Sequence, residues 1–134
     1  MYLLDTDVLS NLLRSAPSTA LVSKLASVPL EQQFTSSITL GELVYGAHRL
    51  KERTRALLER LDETLLPNLP VLPFDASAAR RYGEVRAELE RRGAPIGDAD
   101  LRIASIALTH DLTVVTGNVQ HFARVSGLRV ENWL

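Results

Sequence analysis

Apolar residues along the chain fall into short solid runs and longer stripes at helical spacing. The run that ends in Asp5 reads as a short buried strand over residues 2–5, and Leu9, Leu12 and Leu13 follow it on a helix. Pro17 and Ser18 open a second helix that carries Leu21, Val22, Leu25 and Val28. "QQFTSS" (32–37) predicts a second strand. Leu40, Leu43, Val44 and Ala47 then recur at i, i+3, i+4 and i+7, and Leu57, Leu58, Leu61 and Leu65 carry a further helix to its stop at Pro67.

"VLPF" (71–74) suits only an edge strand or a strand end, because Pro73 lacks an N–H for a central ladder. Asp75 caps a long amphipathic helix with Ala78, Tyr82, Val85 and Leu89 inward, and Gly93 and Pro95 end it. "GDADLRIASIALTHD" is apolar on nearly every face, which predicts a buried helix. "LTVVTG" (112–117) reads as a buried strand and "LRVENWL" as a last edge strand. Strands that alternate with helices predict an α/β fold: one three-layer α/β/α domain over 1–134 with a mainly parallel central sheet.

Composition narrows the chemistry. The chain has 134 residues and no cysteine, which excludes disulfides and thiolate metal sites and fits a reducing, cytoplasmic setting. The amino terminus has no basic stretch of the kind that opens a signal peptide, and no apolar run reaches the ~20 residues needed to span a bilayer. The net charge of −1 excludes a generally basic nucleic-acid coat and leaves local contacts open. Lysine stands only at 24 and 51, so positive charge is almost all arginine, the better bidentate phosphate ligand. His48, His110 and His121 match no metal-ligand spacing and read as ordinary surface or core imidazoles.

In an open parallel sheet, ligands bind at the carboxyl ends of the strands. Asp5 and Asp7 follow the first strand; Ser36, Ser37 and Glu42 follow the second; Thr116 and Asn118 follow the strand at 112–117; and Asp98 and Asp100 open the buried helix. Several have structural explanations. Asp7 can cap the first helix, and Thr39 and Glu42 have the spacing of a capping box. Asp98 stands where a cap belongs. Asp100 instead shares a face with Ile103, Ala104 and Ala107, where a carboxylate is costly unless paired or bound to metal. Two carboxylates about 4 Å apart repel by roughly 4 kcal/mol at an effective dielectric of about 20. Three gathered together take up protons or a cation, and hard oxygen donors without cysteine suit Mg²⁺, with Mn²⁺ as a substitute. Such a site points to phosphoryl or phosphodiester chemistry.

Two families match "LLDTDV". The first is the haloacid-dehalogenase-like phosphatases, in which Asp5 is the nucleophile and Asp7 the acid. That family also needs a lysine before its late acidic motif, and residues 52–97 contain none. The second match covers nearly the whole chain. "LLDTDVLSNLLR", "SSITLGELVYGA", "PIGDADLRIASIALTHDLTVVTGNVQHFARVSGL" and "RVENW" resemble the PIN-domain ribonucleases, especially VapC-type toxins of toxin–antitoxin pairs. The resemblance implies a Mg²⁺-dependent endoribonuclease with Asp5, Glu42 and Asp100 as acidic metal ligands and Asn118 at the fourth catalytic position. Asp98 is implied as a neighbour that assists the metal, and Thr6, Ser36 and Thr116 as groups that orient the carboxylates. Also implied are an RNA substrate, a homodimer, and a cognate VapB-type antitoxin that blocks the acidic edge, for which the helices at 17–28 and 38–66 offer a groove. Arginines 49, 53, 55, 80 and 86 are candidates for contacts with the RNA backbone, with solvation as their default reading. The chain departs from the family at Asp7, where Asn is common, and at Asn118, where some members carry Asp. An inactive PIN-like binding module is the remaining alternative.

Overall fold

The computed structural model describes residues 1–134. Its elements run β1 (Tyr2–Leu4), α1 (Thr6–Leu12), α2 (Thr19–Ser27), β2 (Gln33–Ser36), α3 (Ser37–Arg49), α4 (Thr54–Arg60), β3 (Val71–Leu72), α5 (Ala76–Arg91), α6 (Asp98–Thr109), β4 (Thr113–Val115), α7 (Val119–Phe122) and β5 (Val130–Glu131). The five strands form one sheet in the order β3-β2-β1-β4-β5, and every pairing is parallel. No helix is long and apolar enough to cross a membrane.

The register explains the three layers. Leu3 pairs with Val114 and Leu4 with Val115, so successive residues of two central strands point to opposite faces. Leu3 and Val114 join a core with Ala78, Val85 and Leu89 of α5 and Ile103, Ile106 and Ala107 of α6. Leu4 and Val115 join the other core with Val8 and Leu9 of α1, Leu21 of α2 and Leu43 of α3. Helices therefore cover both faces, as parallel sheets require.

Several boundaries differ from the sequence reading. Ser36, not Thr39, caps α3, and its hydroxyl accepts from Thr39 N–H at 3.0 Å. The capping box expected at Thr39–Glu42 does not form, because α3 has already started at Ser37. The helical stretch 38–66 divides at residues 51–53, where Lys51 takes a positive φ of 42°. A wider π-type turn follows at Leu61–Leu65. Gly97 occupies the cap position of α6, so Asp98 is its first residue and caps nothing. "VLPF" shortens to Val71–Leu72 at the sheet edge, with Pro73 just beyond it, and the last strand shortens to Val130–Glu131 at the other edge. Trp133 is buried and meets Tyr2 edge to face, with ring centroids 4.9 Å apart.

Helix α6 is the central support: Ile103, Ala104, Ile106 and Ala107 are each fully buried. Ile103→Ala is expected to cost about 2–5 kcal/mol through lost burial and the cavity left behind. Urea unfolding measures this, and a cost below about 1 kcal/mol would show that α6 does not carry the core.

Candidate metal centre at the carboxyl edge of the sheet

Parallel pairing brings the carboxyl ends of β1, β2 and β4 to one edge, and the polar residues that follow them meet there. Asp5 ends β1 and caps α1, with its Oδ1 accepting from Thr6 N–H at 2.7 Å. Its Oδ2 accepts from the Thr116 hydroxyl at 2.7 Å. Thr116 in turn accepts from Asn118 N–H at 2.9 Å, which ties the turn after β4 to the end of β1. Asp7, in the first turn of α1, accepts from Gly117 N–H at 2.8 Å. The approach is close: a Cβ on Gly117 would lie 2.8 Å from Asp7 Oδ2 and 2.9 Å from Leu134 Cδ1.

Asp100 projects from the first turn of α6 with its side chain 25% exposed. Its Oδ2 accepts from Asn118 Nδ2 at 3.0 Å and lies 3.5 Å from His121 Nδ1. His121 Nδ1 is also 2.9 Å from Asn118 Nδ2. When Nδ1 accepts from that amide, the ring proton sits on Nε2. Glu42 is exposed and accepts from the Thr6 hydroxyl at 2.6 Å, with Thr39 Oγ1 3.1 Å from the same hydroxyl. Glu42 therefore joins the edge through Thr6, the residue next to Asp5.

Asp98 is not part of this group. Two residues from Asp100 on a helix, it turns to the opposite flank, where it accepts from the Tyr82 hydroxyl and from Arg102 Nε at 2.8 Å. The Tyr82 hydroxyl and then Arg102 hold its carboxyl below the usual range. Ser36 is likewise occupied with capping α3.

The electrostatics centre on Asp5. It is only 5% exposed, both of its oxygens are held by neutral donors, and it takes part in no ion pair. Burial pushes its carboxyl up to about 6 from 3.8; the bonds from Thr116 and Thr6 oppose the shift, and the charges of Asp7 and Asp100 add to it. Hard oxygen donors around a buried carboxylate with no cationic partner fit a divalent cation. The fit is not a closed cage, since no three acidic or imidazole side chains converge on one point. Water would complete the coordination of a bound ion.

His121, which the sequence offers only as an ordinary imidazole, is brought beside Asp100 here: it lies in the short helix α7, three residues after Asn118 at the cap position. Asp7 does not cap α1, because Asp5 does; its Oδ1 instead lies 3.5 Å from the Thr116 hydroxyl that also bonds Asp5.

Comparison with known proteins identifies the family. The family described as PIN domain matches residues 2–128. A tRNA(fMet)-specific endonuclease VapC of Shigella flexneri is 37% identical, with 98% of this chain and 97% of the relative covered. Among solved structures, that of FitAcB from Neisseria gonorrhoeae superposes with a TM-score of 0.91 at 37% identity, covering 98% of this chain and 97% of that one. VapBC2 of Rickettsia felis, bound to a DNA fragment from its promoter, gives 0.89 at 33% identity over 99% and 98%. The chain belongs to the PIN-domain family.

The raised Asp5 carboxyl fixes a pH dependence in cation-free buffer. Between pH 3.8 and about 6, the folded chain holds a proton that the unfolded chain has released. Ionising Asp5 as the pH rises through this window therefore destabilises the fold. The unfolding free energy of Asp5→Asn relative to wild type should rise by on the order of 3 kcal/mol from pH 4 to pH 7. Paired denaturation curves check this, and a flat difference would mean that Asp5 is not strained by its charge.

Proposed function

We propose that this protein is a metal-dependent endoribonuclease that hydrolyses RNA phosphodiester bonds and acts as the toxin of a toxin–antitoxin pair. The observation that carries the reading is the buried, unneutralised Asp5 beside Asp7 and Asp100 at the carboxyl edge of a PIN-domain sheet. Asp5, Glu42 and Asp100 are the residues that would hold the cation, with Asn118 as a neutral fourth catalytic group. Mg²⁺ is the natural ion for this donor set, and Mn²⁺ can replace it. When bound, such an ion activates water and offsets charge on the phosphoryl group.

The remaining roles belong to the chain. Thr116 fixes Asp5 through its hydroxyl and Thr6 fixes Glu42. Asn118 orients Asp100, and because it is neutral it adds no repulsion to the cluster. Asp7 secures the Thr116–Gly117 turn and brings the negative charge nearby that Asp98, on the opposite flank, does not. The haloacid-dehalogenase reading loses its support, since the chain matches a different family from end to end and lacks the required lysine.

The antitoxin reading rests on the relatives and on a groove. The Rickettsia felis structure is described as a VapBC complex bound to promoter DNA. In this chain, α1, α3 and α4 border a cavity of about 520 Å³, lined by Leu13, Leu43, Leu50, Leu57 and Leu61 together with Glu42. An antitoxin segment seated there would lie against the acidic edge. Helix α2, expected as part of the groove wall, contributes no lining residue. A homodimer and a cytoplasmic setting complete the proposal.

The test is RNA cleavage by purified chain with Mg²⁺ or Mn²⁺, using total RNA and tRNA(fMet), the RNA named for the Shigella relative. Loss of an outer partner of a metal ligand typically costs about 10–100-fold, so loss of a ligand itself in Asp100→Asn should lower the rate by at least about 100-fold with the melting temperature preserved. EDTA should abolish cleavage, and added Mg²⁺ should restore it. Near-normal cleavage by Asp100→Asn would overturn the site assignment. A folded wild type that cleaves no RNA with either ion would favour the inactive binding module.

A further inference from the structure

A ridge of two arginines and two aromatic rings flanks the acidic edge, and of its members only Arg86 stands among the arginines expected from sequence to meet RNA. Phe74 follows β3, Tyr82 lies in α5, and Asp98 and Arg102 lie at the start of α6. The Phe74 N–H donates to Ser37 Oγ, just past β2, at 3.2 Å, so the ridge shares the carboxyl edge with Asp5. The Phe74 and Tyr82 rings meet edge to face with centroids 5.8 Å apart. The Arg102 guanidinium sits over both, 5.2 Å from the Phe74 centroid and 5.4 Å from that of Tyr82. Arg86 lies 6.0 Å from the Tyr82 centroid and donates through Nη1 to its hydroxyl at 3.0 Å.

The hydrogen bonds leave the arginines partly free. Arg86 gives Nε to Glu90 at 3.0 Å, and Arg102 gives Nε to Asp98 at 2.8 Å. Arg86 Nη2 and both Nη atoms of Arg102 make no hydrogen bond within the chain. Their side chains are 57% and 41% exposed, so the two carboxylate pairs are weak and yield readily to a stronger anion. The rings hold the guanidinium planes in place, which reduces the freedom lost on binding. An acidic catalytic edge on a chain of net charge −1 repels a nucleic-acid backbone unless fixed cations stand beside it.

We infer that Arg86 and Arg102 form a phosphate-binding fork that holds the backbone of the single-stranded RNA substrate beside the scissile bond. This rests on the nuclease reading and adds to it the flank over which the strand runs: the α5 side of α6, two residues from Asp100. Tyr82 and Asp98 are positioning residues for the fork. Tyr82 links Arg86 to Asp98 through its hydroxyl, and Asp98 orients Arg102.

The experiment pairs Arg86→Gln with Arg102→Gln and reads binding and catalysis separately. Binding of a fluorescein-labelled single-stranded RNA to the Asp100→Asn chain is followed by anisotropy as salt is varied. Adding the glutamine pair should lower affinity about tenfold at low salt and make the slope of log affinity against log salt shallower by about 1.4, from two phosphate contacts at ~0.7 each. In the active chain, the same pair should raise KM with kcat within about twofold. Arg129→Gln is the control for loss of one remote charge, compared with Arg86→Gln and Arg102→Gln taken singly, since Arg129 contacts Thr113 at the start of β4, on the opposite edge. An unchanged slope, or an equal loss in the Arg129 control, overturns the inference. Should the glutamine pair melt early, lysine at both positions carries the test: charge is kept, the fork is lost, and affinity should still fall at least about threefold. Wild type that cleaves RNA while these variants match it refutes the fork alone; wild type that cleaves nothing refutes the nuclease reading.

Discussion

One carboxylate in an uncomfortable place organises this molecule. Asp5 is buried at the end of the central strand, satisfied by hydrogen bonds yet matched by no positive charge. Asp7 and Asp100 raise the cost of ionising it. A fold without a use for that charge would gain stability by replacing it with a neutral or apolar residue. Its retention beside two more acids makes sense if a cation repays the strain on arrival.

The fold supplies this position through parallel pairing. Neighbouring strands β1, β2 and β4 end on the same edge, so side chains more than one hundred residues apart become hydrogen-bond partners, as Thr116 and Asp5 do. The alternation of Leu3 and Leu4 between two cores locks the register on which that meeting depends. A slip of one residue would turn the core inside out and scatter the acids. Helix α6 adds the same discipline on its own scale. Its buried alanines and isoleucines fix its rotation, which sends Asp100 toward Asn118 and Asp98 toward Tyr82.

Much of this was legible from residue pattern. Solid apolar runs located β1 and β4, and the helical stripe through Ile103, Ala104 and Ala107 separated Asp100 from Asp98 as the residue facing inward. Topology alone put Asp5, Thr116 and Asn118 on one edge. What failed was local. Ser36 and Thr39 are both competent caps, and only the hydrogen-bond ladder decides between them. The break at Lys51 carries no glycine or proline to announce it. His121 lacked a recognised ligand spacing, and its place beside Asp100 depends on a long-range contact between α6 and α7.

If a cation offsets the charge of Asp5, thermal unfolding with and without divalent ions reveals it. Saturation at about a hundred times the dissociation constant adds roughly 2.7 kcal/mol of stability. Mg²⁺ or Mn²⁺ is therefore expected to raise the melting temperature of wild type by several degrees and to leave Asp5→Asn nearly unmoved. No shift in wild type, or an equal shift in both proteins, would contradict it.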